Sequence, residues 1–302
     1  MNDGQVARTA QDLIGRFTPT PLWVDLPVMQ RTIRFETNSS VILQLMRQVL
    51  EDRGEGAQGK TASAPSAFRW RLVSDPDAAP ESAWPLASIV SDDGLRYASL
   101  GQSSFVAVDL ASREAVGFVA EQLTRDEAGF KKTVLPPLLS MTADALGVTG
   151  FRGTVARLGG KALLIVGAQS SDNRHLLCLA EESGFESLAG ETIFLEPTSG
   201  GLRVWGASRP DRVAALGAYV FVERESGDAP LQGPLPPVGL AERFRPYLLF
   251  DDDRNFSAQH DDVLRALARL PAYCFACGSN STEAAGFFRR LLEGQPNGKV
   301  GV

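Results

Sequence analysis

Residues 150–206 read GFRGTVARLGGKALLIVGAQSSDNRHLLCLAEESGFESLAGETIFLEPTSGGLRVWG, and the middle of this stretch decides the fold. Lys161 to Val166 (KALLIV) is a short apolar run of the kind buried on both faces of a sheet. Gly167 ends the run before a polar loop and an amphipathic segment, which predicts strand, loop and helix in succession. A phosphate-binding loop of the form G-x-x-x-x-G-K-[ST] would use that layout. Its second Gly lets the backbone approach the phosphates, its Lys supplies charge and its hydroxyl holds Mg²⁺. With the frame started at Gly167, however, Asp172, Asn173 and Arg174 stand where Gly, Lys and Ser/Thr are required.

The order of elements around the loop resembles the HPr kinase/phosphorylase family and the broader group of HPr-kinase-like proteins. In that family a strand ending in a Walker loop leads through a helix, with a Gly near its end, to a strand preceded by paired acidic residues. Leu163 to Gly167, Asp172 to Gly184 and Leu188 to Leu195 follow this order. The acidic pair falls on Gly190 and Glu191, so only the second acid is kept. The His-Ala pair of the family has no counterpart in Gly150-Phe151-Arg152-Gly153. Leu202 to Pro210 (LRVWGASRP) resembles the strand and Arg-Pro turn of the group, which makes Arg209 a retained basic residue. The resemblance spans residues 90–295 and implies an α/β chain, α+β overall. It implies an HPr-kinase/PEP-carboxykinase-like P-loop domain (148–302), and the strand pattern before it reads as an N-terminal, mainly antiparallel β domain with helices (1–147).

The replaced loop changes the electrostatics. Asp172, just before LLCLA, reads as a helix N-cap, whose carboxylate accepts a backbone N–H. A nucleotide phosphate would then meet negative charge where the fold normally offers bare N–H groups, a positive dipole end and a Lys. Arg174 and His175 are the residues that could restore positive charge there.

Composition limits the remaining function classes. The chain has 302 residues, 44% hydrophobic and 22% charged, enough to bury a core. A net charge of -6 with no basic tract argues against a nucleic-acid binder. No apolar run approaches the ~20 residues of a membrane span, and MNDGQVARTAQDL lacks the basic-then-apolar pattern of a signal peptide. A cytoplasmic chain without membrane association is expected.

Three cysteines make no disulfide framework. Cys274 and Cys277 form a Cys-x-x-Cys, but a structural zinc needs four ligands, and Cys178, His175 and His260 supply no second spaced pair. AYCFACG reads as a buried strand. Asp92-Asp93-Gly94 and Asp109 read as turn residues, and Asp251-Asp252-Asp253 with Asp261-Asp262 as caps and dipole partners, so no metal site is assigned. No G-x-S-x-G elbow exists to pair with either histidine.

Taken in order, residues 5–15 suit a short helix, Arg31 to Glu36 a strand, and Val41 to Glu51 an amphipathic helix capped from Thr37–Ser40. Residues 52–66 read as a mobile Gly/Ala/Ser-rich loop. FRWRLV, SIVSD, GLRYASL, SSFVAVDL and EAVGFVAEQL read as the strands of an antiparallel sheet. Thr133 to Gly147 reads as a helix with prolines at its start and Gly147 as its C-cap. Later come the strands LRVWG and AYVFVER, a Gly/Pro-rich connection, the helices AERFRPYLLF and SAQHDDVLRALARL, and a last helix from Ser281 to Glu293.

These readings lead to a non-catalytic HPr-kinase-like protein, a pseudokinase acting as a scaffold or binding module for another protein, with no cofactor. Two alternatives stand beside it. One is an ATP-dependent serine/hydroxyl kinase with a displaced site, using Arg152, Arg174, His175 or Arg209 for the missing Lys and Glu191 for metal or base. The other is a small-molecule binding protein using the former nucleotide crevice, with Trp205 and Phe151 lining it. The family resemblance makes homo-oligomer formation plausible.

Overall fold

A computed structural model describes residues 18–50, 66–76, 87–92, 94–125, 127–167, 170–189, 191–207, 209–223, 235–236, 238–276 and 281–293. The expected helix at 5–15, residues 52–65 of the expected loop and Cys277 lie outside the described residues. The chain is a mixed α/β protein with two mixed sheets, one of them a curled half-barrel. It divides into two compact units, Met1–Thr142 and Ala143–Val302.

The first unit carries β1 (Leu22–Val28), β2 (Arg31–Thr37), α1 (Ser40–Leu50), β3 (Phe68–Asp75), β4 (Ser88–Asp92), β5 (Leu95–Ser99), β6 (Phe105–Asp109) and β7 (Glu114–Ala120). Two helices, α2 (Glu127–Thr133) and α3 (Leu135–Thr142), complete it. Its seven strands are ordered β1-β2-β3-β7-β6-β5-β4.

The sheet is mixed, where the alternating strands predict an antiparallel one, because β3 pairs in parallel with both β2 and β7. The reason is the crossover β2-α1-β3, since parallel neighbours need a connection long enough to return to the same end. The apolar stripe Ile42, Leu45, Met46 and Val49 buries α1. Sequence periodicity also missed β1, where Pro27 sits among the strand residues; as an edge strand, β1 tolerates the lost donor.

On one face of this sheet Ile33, Phe35, Trp70, Leu72, Ala98, Val106 and Ala115 are fully buried. The other face carries Trp23, Arg34, Arg69, Leu95 and Tyr97 and stays partly open.

The second unit holds β8 (Thr149–Arg152), β9 (Thr154–Leu158), β10 (Lys161–Gly167), α4 (Ser170–Glu182), β11 (Glu186–Ala189), β12 (Thr192–Thr198), β13 (Gly201–Gly206) and β14 (Arg209–Glu223). It continues with α5 (Leu240–Phe244), α6 (Ser257–Leu267), β15 (Ala272–Ala276) and α7 (Ser281–Glu293). The strand order is β11-β9-β10-β14-β13-β12-β8, with β15 also paired to β14.

Strand β8 ends this path at one side and β9 lies next to the other end, yet only Gly153 separates them in the chain. Chain continuity therefore makes the sheet turn back on itself at Gly153. A Cβ there would lie 2.8 Å from Leu164 Cδ1 and 3.3 Å from the Ile165 carbonyl oxygen, so any larger residue requires Leu164 and β10 to shift.

The apolar run in β10 is explained by burial on both faces. Leu164 and Val166 join Tyr219, Phe221, Phe244, Val263 and Leu267 under α5 and α6. Leu163 and Ile165 join Leu176, Ala180, Val220, Phe288 and Leu292 under α4 and α7.

Three boundaries differ from the sequence reading. The strand expected over 218–224 begins nine residues earlier, as the single 15-residue strand β14. The helix expected over residues 241–250 stops at Phe244 and continues only as a 3₁₀ turn over Arg245–Tyr247, because Pro246 removes a backbone donor. The helix expected over 133–147 begins at Leu135 with Pro136 and Pro137 in its first turn and ends at Thr142. A 3₁₀ turn over Asp144–Leu146 follows, and Gly147 caps it in the left-handed region (φ 77°). Asp144 packs with α6 through His260, which ties this turn to the second unit.

Candidate functional site

Strands β10, β14 and β15 run parallel, and Gly167, Val222 and Phe275 stand at one level near their C-terminal ends. In open α/β sheets that edge is where ligands bind, and the helix following the first strand presents its N-terminus there. Glu191 reaches the same region by another route. Its carbonyl accepts a hydrogen bond from the Gly153 N–H at 3.2 Å, and Gly153 precedes Thr154, the partner of Ile165 in β10.

Two of the residues singled out by sequence meet there. Arg174, in the first turns of α4, donates from Nη2 to Glu191 Oε1 at 3.2 Å. Both side chains are open to water, at 76% and 63% relative exposure, so the pair contributes little to stability. His175 is exposed beside it.

Asp172 is not the N-cap expected from sequence. The helix starts at Ser170, two residues earlier, which places Asp172 and Asn173 inside its first turn; their side chains lie outside the described residues. A carboxylate in a first turn still favours the positive end of the helix dipole. Arg209 opens β14 and pairs through its backbone with Gly206, which itself pairs with Ile193, two residues beyond Glu191. Its side chain is likewise outside the described residues. Arg152 is exposed on β8, opposite Thr192.

The lysine of the segment is at the wrong end for phosphate. Lys161 begins β10, and its Nζ donates to the Leu292 carbonyl at 3.2 Å. Trp205 and Phe151 do not line a crevice: both are fully buried in the core.

The acidic runs behave as turn and ion-pair chemistry. Asp253 accepts from the Asn255 N–H at 3.2 Å, while Asp251 and Asp261 both accept from Arg245, at 2.7 and 2.9 Å. These two carboxylates hold the Arg245 guanidinium above its ordinary pKa, the hydrogen bond to Asp261 most of all. Asp109 accepts from the Ala111 and Ser112 N–H groups. No group of three or more metal-ligating side chains occurs among the described residues. Cys274 is buried in β15 and Cys178 is exposed on α4.

Three features were not singled out in the sequence. Glu186 of β11 binds both Arg157 of β9 and Arg212 of β14, a set of one acid and two bases. The ring of Phe244 contacts Phe151, Tyr219 and Phe221 at centroid distances of 5.9, 4.6 and 4.9 Å, and the Arg243 guanidinium lies 4.2 Å over Phe221. The third is the partly open face of the first sheet, where a pocket of about 620 Å³ is floored by Leu95, Tyr97, Ala107 and Val116. The alternation in GLRYASL marks a strand but not its outward face: the polar Arg96 is buried while its neighbours Leu95 and Tyr97 are exposed, an inverted pattern.

No helix among the described residues is long and apolar enough to cross a membrane. No family model matches the sequence, and no curated protein matches it. Among solved structures, the Hpr(Ser) kinase/phosphatase from Coxiella burnetii is similar, at 9% sequence identity and a TM-score of 0.29. The match covers 48% of this chain and 94% of that chain. The chain therefore bears a partial, distant structural similarity to an HPr kinase/phosphatase, without support from any sequence family.

Proposed function

We propose that this chain is a non-catalytic protein of HPr-kinase-like layout, a pseudokinase that serves as a binding module for another protein. The observation that carries the reading is the ion pair between Arg174 and Glu191 beside the C-terminal end of β10. At the place where the resemblance calls for a free acid to hold Mg²⁺ and a Lys to hold phosphate, the acid is already engaged by a guanidinium. The only lysine of the segment, Lys161, is spent on a carbonyl at the other end of the strand. Phosphoryl transfer works by positioning and charge stabilisation, so a site lacking both has no means of acceleration.

Isothermal titration with ATP and ADP, with and without Mg²⁺, tests the reading. The wild-type chain is expected to give no binding heat. The triple variant Asp172→Gly/Asn173→Lys/Arg174→Ser, which writes the phosphate-loop residues back in, is expected to bind. Wild-type binding at micromolar affinity or better overturns the proposal.

A further inference from the structure

The first sheet ends at β4, and no described strand pairs with its outer edge. Edge strands are normally protected by charge, proline or a covering element, because their free N–H and C=O groups accept another strand. Strand β4 (SIVSD) is only partly protected: its one charge is Asp92 at the end of the strand, while Ile89 and Val90 point to opposite faces and are both exposed, at 36% and 61%.

On the partly open face Val90 pairs with Tyr97, and the exposed Leu95 (59%) and Tyr97 (46%) continue the apolar surface into the pocket. The pocket is only half enclosed, and its apolar floor runs on to the edge strand. It suits side chains laid across it by a neighbouring strand.

The charge around the pocket selects the occupant. Glu36 and Glu114 are neutralised, since Arg69 pairs with both and Arg71 with Glu36. Asp92 and Asp109 have no cation partner among the described residues, and they flank Leu95 on its two neighbouring strands. Across two strand spacings they stand about 10 Å apart.

We infer that β4 accepts an extended segment of a partner protein as an added strand, with apolar residues alternating along it and a basic residue set against Asp92. Backbone pairing along the edge supplies affinity, and side chains over Val90, Leu95 and Tyr97 supply selectivity. The inference draws on the first unit alone and is independent of nucleotide binding in the second.

The test uses the full chain and a fluorescent peptide of about eight residues, a usual strand length, alternating valine and lysine. A valine/glutamate counterpart and a version N-methylated at alternate backbone positions serve as comparisons. The expected result is anisotropy saturation with the lysine peptide, at affinity about tenfold or more above the glutamate peptide. Binding is expected to vanish on N-methylation, and the charge preference to reverse in Asp92→Lys, whose fold is checked by circular dichroism. Equal binding of the two peptides, binding indifferent to N-methylation, or no binding at all overturns the inference. So does competition from a second copy of the chain, read as concentration-dependent self-association by sedimentation, or a gain in peptide affinity on removing residues 1–17.

Discussion

His260 Nε2 lies 3.2 Å from Asp144 Oδ1, with both side chains almost fully closed to water. Asp144 Oδ1 accepts this hydrogen bond when the imidazole carries its proton on Nε2. Gln259 Nε2 adds a contact to Thr149 Oγ1 at 3.3 Å and a longer one to Asp144 Oδ1 at 3.5 Å. Asp144→Ala removes the acceptor and leaves a buried N–H unpaired, which is expected to cost about 2–4 kcal/mol. Asp144→Asn keeps an acceptor oxygen and costs less. Urea unfolding of the two variants measures the difference; equal losses sink the hydrogen-bond account.

Tyr219 supplies a prediction of the opposite sign. Its ring is buried against Phe221 and Phe244, and its hydroxyl finds no hydrogen-bond partner among the described residues. Burial pushes the phenol well above its ordinary pKa, against a smaller opposing effect of the Arg243 charge. Tyr219→Phe removes an unpaired polar atom and is expected to be neutral or stabilising by about 1 kcal/mol in thermal unfolding.

The pH dependence of the same residue has a definite sign. With the folded pKa raised, the phenol's contribution is intact below the unfolded value near 10 and is lost as pH rises above it. Stability of the wild type should therefore fall above about pH 10, and more steeply than that of Tyr219→Phe. Tyr273 is shifted in the same direction by burial and remains in both proteins. Parallel denaturation curves between pH 9 and 11, estimated from the ordinary tyrosine range, would rule this out.

Gly153→Ala tests the corner of the second sheet. The new methyl group would meet Leu164 Cδ1 at 2.8 Å and a backbone oxygen at 3.3 Å, so β10 would have to yield. A loss of about 1–3 kcal/mol is expected. An unchanged melting temperature would mean that the corner is looser than its contacts indicate.

At the candidate site the expected effect on stability is small. Glu191→Gln breaks an exposed pair and should change unfolding free energy by less than about 1 kcal/mol. Neither this variant nor Arg174→Ala is expected to turn over ATP in a coupled assay, because the phosphate-binding Lys is still missing; turnover by the wild type would sink the pseudokinase reading.

Much of this architecture was legible in the sequence. Lys161–Gly167 announces a central strand because neither parity is polar, and Ser257–Leu267 announces a helix through its apolar spacing. The crossover that makes the first sheet mixed was not legible, since strand order is set by tertiary pairing rather than by alternation within β3. Nor were the ends of β14, where an apolar pattern runs on across the residues taken for a gap between strands. At the candidate site, the meeting of Arg174 with Glu191 was not legible, because it depends on the Gly153 N–H holding the Glu191 carbonyl beside β9. The acceptor edge at β4 needed the burial of Arg96 to reveal which face of β5 looks outward.

The parallel pairing of β14 with β15 has a consequence for the order of synthesis. Tyr219–Glu223 must wait for Ala272–Ala276 before that edge is covered. During translation the second unit thus passes through a stage in which its longest strand is complete but open on one side. Closing it requires a loop from residues 224–271 to be ordered at entropic expense, which slows folding. That half-made sheet, rather than the finished molecule, is the species on which a chaperone or an aggregate would act.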